Sequence, residues 1–328
     1  MLQYFKLDKI LLILLLFSFS YSGAQDFTFS QHNNATFLYN PALTGHLAGA
    51  YRLSLMSRQQ WMSIDGGFKN YSFTGDMNRF SATDNTIGFG FMATAEESMD
   101  GKLKGTNVLG SMAYHLSIDK DLKYYLSVGF QAGWYQNRYN VNNLKFESGL
   151  FGGVNEVITK PVTSSTDIRL GLNWTSYLTP KFEFKMGAAY LHVGGLQEEL
   201  IEVSVTPATV VTHGDAIWRF HPKMQLLPSF LILSQGGARQ FNFGTTLNRT
   251  FNEETQAFLG VHWRVNDAII PSIGGRYKSI QLAVSYDFTI SKLMGATGGS
   301  MEVSFSYLGQ FARTRHVDDM DKDFFNVD

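Results

Sequence analysis

From residue 25 onward the chain is built of short stretches that alternate residue by residue. In Gln281–Thr289, Leu282, Val284, Tyr286 and Phe288 fall on one face and Gln281, Ala283, Ser285, Asp287 and Thr289 on the other. Glu302–Tyr307 sets Val303, Phe305 and Tyr307 against Glu302, Ser304 and Ser306. Lys181–Tyr190 sets Phe182, Phe184, Met186, Ala188 and Tyr190 against Lys181, Glu183, Lys185, Gly187 and Ala189. A period of two is the signature of a strand with two different faces. Its persistence to the end of the chain leaves few architectures, a barrel or a sandwich foremost.

Strand length chooses between them. The alternation places strands near 51–61, 68–77, 86–97, 103–117, 122–137, 165–177, 181–193, 212–220, 223–234, 238–248, 255–264, 268–276, 279–289 and 300–309. That makes about fourteen, with ends good to a few residues. Many run to ten residues or more, which suits a tilted membrane-crossing strand better than a soluble β-sandwich. The expected fold is therefore all-β, a transmembrane antiparallel up-and-down β-barrel with an N-terminal non-barrel segment. An even number of strands returns both chain ends to one side. The longest connections, Arg138–Ser164 and Gly194–Val211, both follow odd-numbered strands and so share the opposite side. Trp61, Trp134, Trp174, Trp218 and Trp263 are expected near strand ends, as in interfacial aromatic girdles.

The remaining pieces divide the chain. Lys6 and Lys9, the apolar run Ile10–Phe19 and Ser22-Gly23-Ala24 read as a secretory signal peptide over 1–24. Residues 25–50 form a periplasmic or plug segment, 51–309 the outer-membrane barrel, and 310–328 a polar tail. Localisation in the outer membrane, in contact with its lipid, follows from leader and barrel together. Outside the leader no apolar run approaches the length of a membrane-spanning helix.

Chemistry is sparse. The chain has no Cys, which excludes disulfides, thiolate metal sites and Cys nucleophiles. A net charge of −1 disfavours nucleic acid as a partner. None of the eight His has a zinc-ligand spacing, and each reads as an ordinary polar residue. No G-x-S-x-G marks a nucleophile. Glu96-Glu97, Glu198-Glu199 and Glu253-Glu254 lie at strand ends or loops and read as a solvated rim. Asp318–Asp323 lacks the Gly and closing Glu of a calcium loop. No enzyme activity, cofactor or metal is expected.

The N-terminal segment carries a distinctive set of residues. Phe29-Ser30-Gln31 is followed by Asn40-Pro41-Ala42-Leu43-Thr44-Gly45, an Asn-Pro turn closed by Gly. Arg58-Gln59-Gln60-Trp61 then ends the first strand. Near the other end stand Tyr286-Asp287-Phe288, Ser291-Lys292-Leu293 and Gly298-Gly299-Ser300-Met301-Glu302-Val303. Together and in this order they resemble the PorP/SprF family of outer-membrane proteins of the type IX secretion system of Bacteroidetes. This chain differs in continuing well past its last strand.

The resemblance implies a non-enzymatic barrel supporting the secretion or surface attachment of large client proteins, such as gliding adhesins. The implied partners are a client with a type IX C-terminal domain and periplasmic or outer-membrane components of the apparatus. An outer-membrane porin or uptake channel is the alternative. The candidate site residues are Phe29, Ser30, Gln31, Asn40, Pro41, Gly45, Arg58, Gln60 and Trp61, in structural or partner contact. Their simplest expected role is to close the periplasmic end of the barrel.

Overall fold

A computed structural model describes residues 26–63, 66–80, 85–98, 101–140, 160–199, 203–292 and 294–310. Residues 1–25 and 311–328, which include the expected leader and most of the expected tail, lie outside them. Fourteen strands close into an antiparallel barrel: β1 (Tyr51–Gln60), β2 (Phe68–Phe80), β3 (Thr86–Ser98), β4 (Leu103–Ser117), β5 (Tyr124–Tyr139), β6 (Val162–Thr179), β7 (Phe182–Leu191), β10 (Thr209–His221), β11 (Met224–Gln235), β12 (Ala238–Asn252), β13 (Thr255–Arg264), β14 (Ala268–Tyr277), β15 (Ile280–Thr289) and β16 (Ser300–Gly309). Each pairs with its sequence neighbour, and β1 pairs with β16 to close the ring.

The expected strands are therefore present. The connection between β7 and β10 departs from expectation. It folds a hairpin of its own, β8 (Leu196–Glu199) with β9 (Val203–Thr206). Alternating residues there make a short ladder that stands outside the closed sheet.

The two ends of the barrel differ. One end carries two-residue turns at 180–181, 222–223, 253–254 and 278–279. The long connections 140–161 and 192–208 lie at the other. We call these the turn end and the loop end. At the loop end β11 and β12 join through Gly236-Gly237, both at positive φ (55° and 85°). That geometry matches the right-handed twist of a tight hairpin and is open to Gly without a Cβ clash.

The burial pattern is inverted relative to a soluble protein. Along β4, Val108, Met112, Tyr114 and Leu116 are exposed, while Asn107, Ser111 and His115 are buried. On β15, Leu282 and Phe288 are exposed while Ser285 and Asp287 are buried. Large apolar groups facing out and polar groups facing in are stable only where the outside is hydrocarbon. A sandwich would put those faces the other way round.

Four of the Trp residues face outward on strands. Trp134 on β5 and Trp263 on β13 lie toward the loop end; Trp174 on β6 and Trp218 on β10 lie toward the turn end. Trp61, expected inside β1, falls just beyond it, at φ 56°. The chain turns out of the sheet there, and the ring packs edge-on against Phe68 at 5.3 Å.

Candidate functional site: the segment inside the lumen

Residues 26–50 run inside the barrel from the loop end to the turn end. Three short turns carry them: a 3-10 turn at His32–Asn34, a helical turn at Thr36–Tyr39 and a 3-10 turn at Pro41–Leu43. Phe29, Phe37, Leu38, Tyr39 and Leu43 form an apolar cluster with inward Met56, Met92, Leu109, Val211, Leu231 and Leu233 of the wall. The principal core of the molecule is thus inside the lumen, between segment and wall.

Polar anchors hold the segment at successive depths. At the loop end the Asp26 carboxylate accepts from Thr209 Oγ1 (3.0 Å) and meets His192 Nε2 (2.9 Å). His192 Nδ1 meets Asp167 (2.9 Å), which also pairs with Arg169 (2.8 Å). Burial works against a charge on His192, but Asp167 and Asp26 on its two ring nitrogens hold its pKa above the ordinary value. Burial raises the Asp26 carboxyl, and His192 outweighs it, leaving the group below its ordinary value.

The clamp therefore has a pH window. The part owed to His192 is present below the ordinary imidazole range and is lost as pH rises through its raised value. The part owed to Asp26 is present above the ordinary carboxylate range and is lost as pH falls through its lowered value. Protection of the residue 26–34 amides, exchange measured relative to the intrinsic rate at each pH, is expected to be highest between these limits and to fall on the alkaline side. A His192→Gln variant is expected to lose the alkaline limb while the barrel strands stay protected.

A step deeper sits an ionic cluster around Phe29-Ser30-Gln31. The Ser30 and Gln31 N–H groups donate to the two Glu302 oxygens (2.7 and 2.9 Å). Ser30 Oγ donates to Asp287 (2.8 Å) and accepts from Arg264 (2.7 Å) and from Arg58. Arg58 pairs with Asp287 (2.8 Å) and approaches Glu302 (3.6 Å); Arg264 pairs with Asp287 (3.0 Å). Gln31 donates to Ser285 (3.1 Å) and accepts from Ser304 (2.7 Å). Phe29 N–H donates to the Tyr39 hydroxyl (2.7 Å). Buried charges in such a place are stable only when paired and hydrogen-bonded, and here the segment's backbone supplies two of the donors.

The Asn-Pro turn sits in mid-lumen. Asn40 Oδ1 accepts from Ala42 N–H (2.9 Å), capping the 3-10 turn, while Pro41 occupies its first position. Asn40 Nδ2 donates to the Leu172 carbonyl (2.9 Å) and contacts His213 Nε2 (2.8 Å). This turn presses against glycine in the wall. Gly129 on β5 and Gly171 on β6 are register partners. A Cβ on Gly129 would overlap the backbone of Pro41 and Ala42, and one on Gly171 would overlap Asn40 Oδ1. The wall is thinned where the turn lies against it.

At the turn end Gly45 takes φ 73° and donates to Asp76 (2.9 Å), which also holds Arg52 (2.9 Å). A Cβ on Gly45 would come within 2.6 Å of Gly88 Cα. Thr44 carbonyl meets His115 Nε2 (2.9 Å). Ala50 N–H then donates to Gly309 O (2.9 Å) and the chain enters β1.

The candidate residues are thus not gathered at one end of the barrel. Phe29, Ser30, Gln31 and Arg58 meet near the loop end. Gln60 ends β1 opposite Ser300, and Trp61 N–H donates to Gly299 (3.0 Å) at the same end. Asn40 and Pro41 lie midway; Gly45 alone is at the turn end. His115, His192 and His213 are buried lumen contacts of the segment. Asp287, Glu302, Arg264, Asp167 and Asp76 complete the site. They carried a signal, since charged residues at inward positions of an alternating strand need a buried partner. Among the described residues no group of three or more His, Asp or Glu is placed to hold a metal ion.

A closed barrel with an apolar outer face, whose polar interior holds its own N-terminal segment, defines an outer-membrane barrel protein. The chain belongs to the family of type IX secretion system membrane proteins PorP/SprF, whose family model matches residues 21–307. No curated protein matches it by sequence.

Several solved structures share the fold. The toluene transporter TbuX of Ralstonia pickettii is 12% identical, with 85% of this chain and 94% of that chain covered and a TM-score of 0.55. The CymD monoaromatic hydrocarbon channel is 13% identical, with 89% and 95% covered and a TM-score of 0.52. The Pseudomonas putida toluene transporter TodX is 9% identical, with 85% and 94% covered and a TM-score of 0.50.

Proposed function

We propose that this barrel is a non-enzymatic binding component of type IX secretion, supporting export or surface attachment of a large client such as a gliding adhesin. The observation that carries this reading is the filled lumen. A segment anchored by buried ion pairs at one end and keyed into glycines further down suits a rigid docking body. The loop end, with its hairpin β8–β9, faces outside the cell and meets the client's type IX C-terminal domain. The turn end faces the periplasmic components of the apparatus. Family membership supports the system; the geometry supports binding as the mode.

The test is gentle detergent extraction of the tagged barrel from its own outer membrane, with mass spectrometry of the proteins that accompany it. A large secreted protein with a type IX C-terminal domain, or periplasmic components of the machine, is the expected result. An outer-membrane porin or uptake channel is the second reading, favoured by the likeness to hydrocarbon channels. It predicts a barrel that extracts alone and conducts stably in planar bilayers; the binding reading predicts no stable open pore.

A further inference from the structure

Beside the start of the N-terminal segment, at the loop end, lies a small cleft of about 80 Å³. Phe27, Leu38, Met92, Leu191 and Leu233 give it an apolar surface. The last four of these are almost completely buried. Asn107 of β4 also lines it and is 4% exposed. Its Nδ2 donates to Asp167 (2.7 Å), while its carbonyl oxygen has no hydrogen-bond partner among the described residues. A buried acceptor left open costs free energy unless a donor arrives.

The charges at the cleft say what that donor is not. Arg169 also lines it, with Nε and Nη2 on Asp167 (2.9 and 2.8 Å) and Nη1 toward the Leu38 carbonyl (3.4 Å). His192 is held between Asp167 and Asp26. Both cations are already matched, so an entering carboxylate would meet no uncommitted positive charge while facing Asp26 and Glu96. An apolar body would meet apolar surface, and a hydroxyl or amide N–H would satisfy Asn107.

We propose that this cleft binds a small uncharged amphiphile, an aromatic or branched aliphatic body bearing one hydroxyl or amide donor, with Asn107 Oδ1 as the acceptor. The site does not depend on the secretion role. It is formed by the segment and the wall together, so a bound molecule would also brace the segment at its loop end.

Fluorine NMR of the full barrel in lipid nanodiscs tests this, with empty nanodiscs as the reference for partition into lipid. The probes are 4-fluorobenzyl alcohol, 4-fluorotoluene and 4-fluorobenzoate. Saturable binding of the alcohol is expected, about tenfold tighter than that of the toluene, as one neutral hydrogen bond allows. The benzoate is expected to bind more weakly than either. Asn107→Leu should bring the alcohol down to the level of the toluene. Leu233→Trp, which fills the cleft with an apolar group, should remove both, and heat-modifiable gel mobility shows that each variant is folded. Alcohol signals indistinguishable from those in empty nanodiscs overturn the proposal. So does undiminished alcohol binding in a folded Asn107→Leu barrel, or benzoate binding tightest.

Discussion

Arg58→Met is expected to destabilise the folded barrel by about 3–5 kcal/mol, the range found when one partner of a buried ion pair is removed. Arg58 is 1% exposed and lies between Asp287 and Glu302, which are 2% and 1% exposed. Methionine fills the space of the side-chain stem but leaves two carboxylates with only Arg264, the Ser30 hydroxyl and backbone donors. Denaturant unfolding of the reconstituted barrel, followed by tryptophan fluorescence, measures the loss. A second substitution, Glu302→Gln, keeps the acceptor for a segment N–H and removes one stranded charge. The double variant should therefore lose less than the sum of the two single losses, by a coupling of about 1–3 kcal/mol. Additive losses would mean that Arg58 acts by filling space.

Gly129→Leu is expected to have the other large effect. A leucine there must occupy the backbone of Pro41 and Ala42. The cost exceeds the ~1–3 kcal/mol of ordinary overpacking, because main chain cannot rotate out of the way. The expected result is a barrel whose N-terminal segment is dislodged: protease reaches residues 35–50, and bilayer conductance rises above that of the parent. Gly110→Leu is the control. Gly110 faces outward on β4, where a Cβ would come no nearer than 3.9 Å to its neighbour, and a leucine there is expected to change neither reading. Intact protection in a folded Gly129→Leu barrel would show that the turn is not seated on this glycine.

The strands were legible because each carries its two environments in its own sequence. Gln281–Thr289 states its lipid face and its lumen face without help from any other strand, and β15 follows it closely. The Asn-Pro turn was legible for the same reason: Asn40 caps it locally. The site was not, because its partners are set by register. Nothing local to Ser30 points to Glu302, and Gly129 and Gly171 become a seat only when β5 and β6 pair opposite one another. Direction was the larger gap. Periodicity locates no segment that lacks it, so residues 26–50 could be called non-barrel from sequence but not threaded from the loop end downward. Trp61 was misplaced because a bulky aromatic at positive φ runs against local preference; the turn out of β1 overrides it.

The position of Ser30 bears on the order in which the molecule is put together. Arg58 and Glu302 face each other across the β1–β16 pairing, the joint that closes the ring, and Ser30 binds both. A container that draws its contents from its own chain can close around them as it forms. The contents also carry the fastening of the final seam, so closure is most secure when the interior is already occupied. Barrels lacking residues 26–34 should show it as faster amide exchange along β1 and β16 than along β5 and β6: a vessel sealed from within, whose lid and load are one piece of chain.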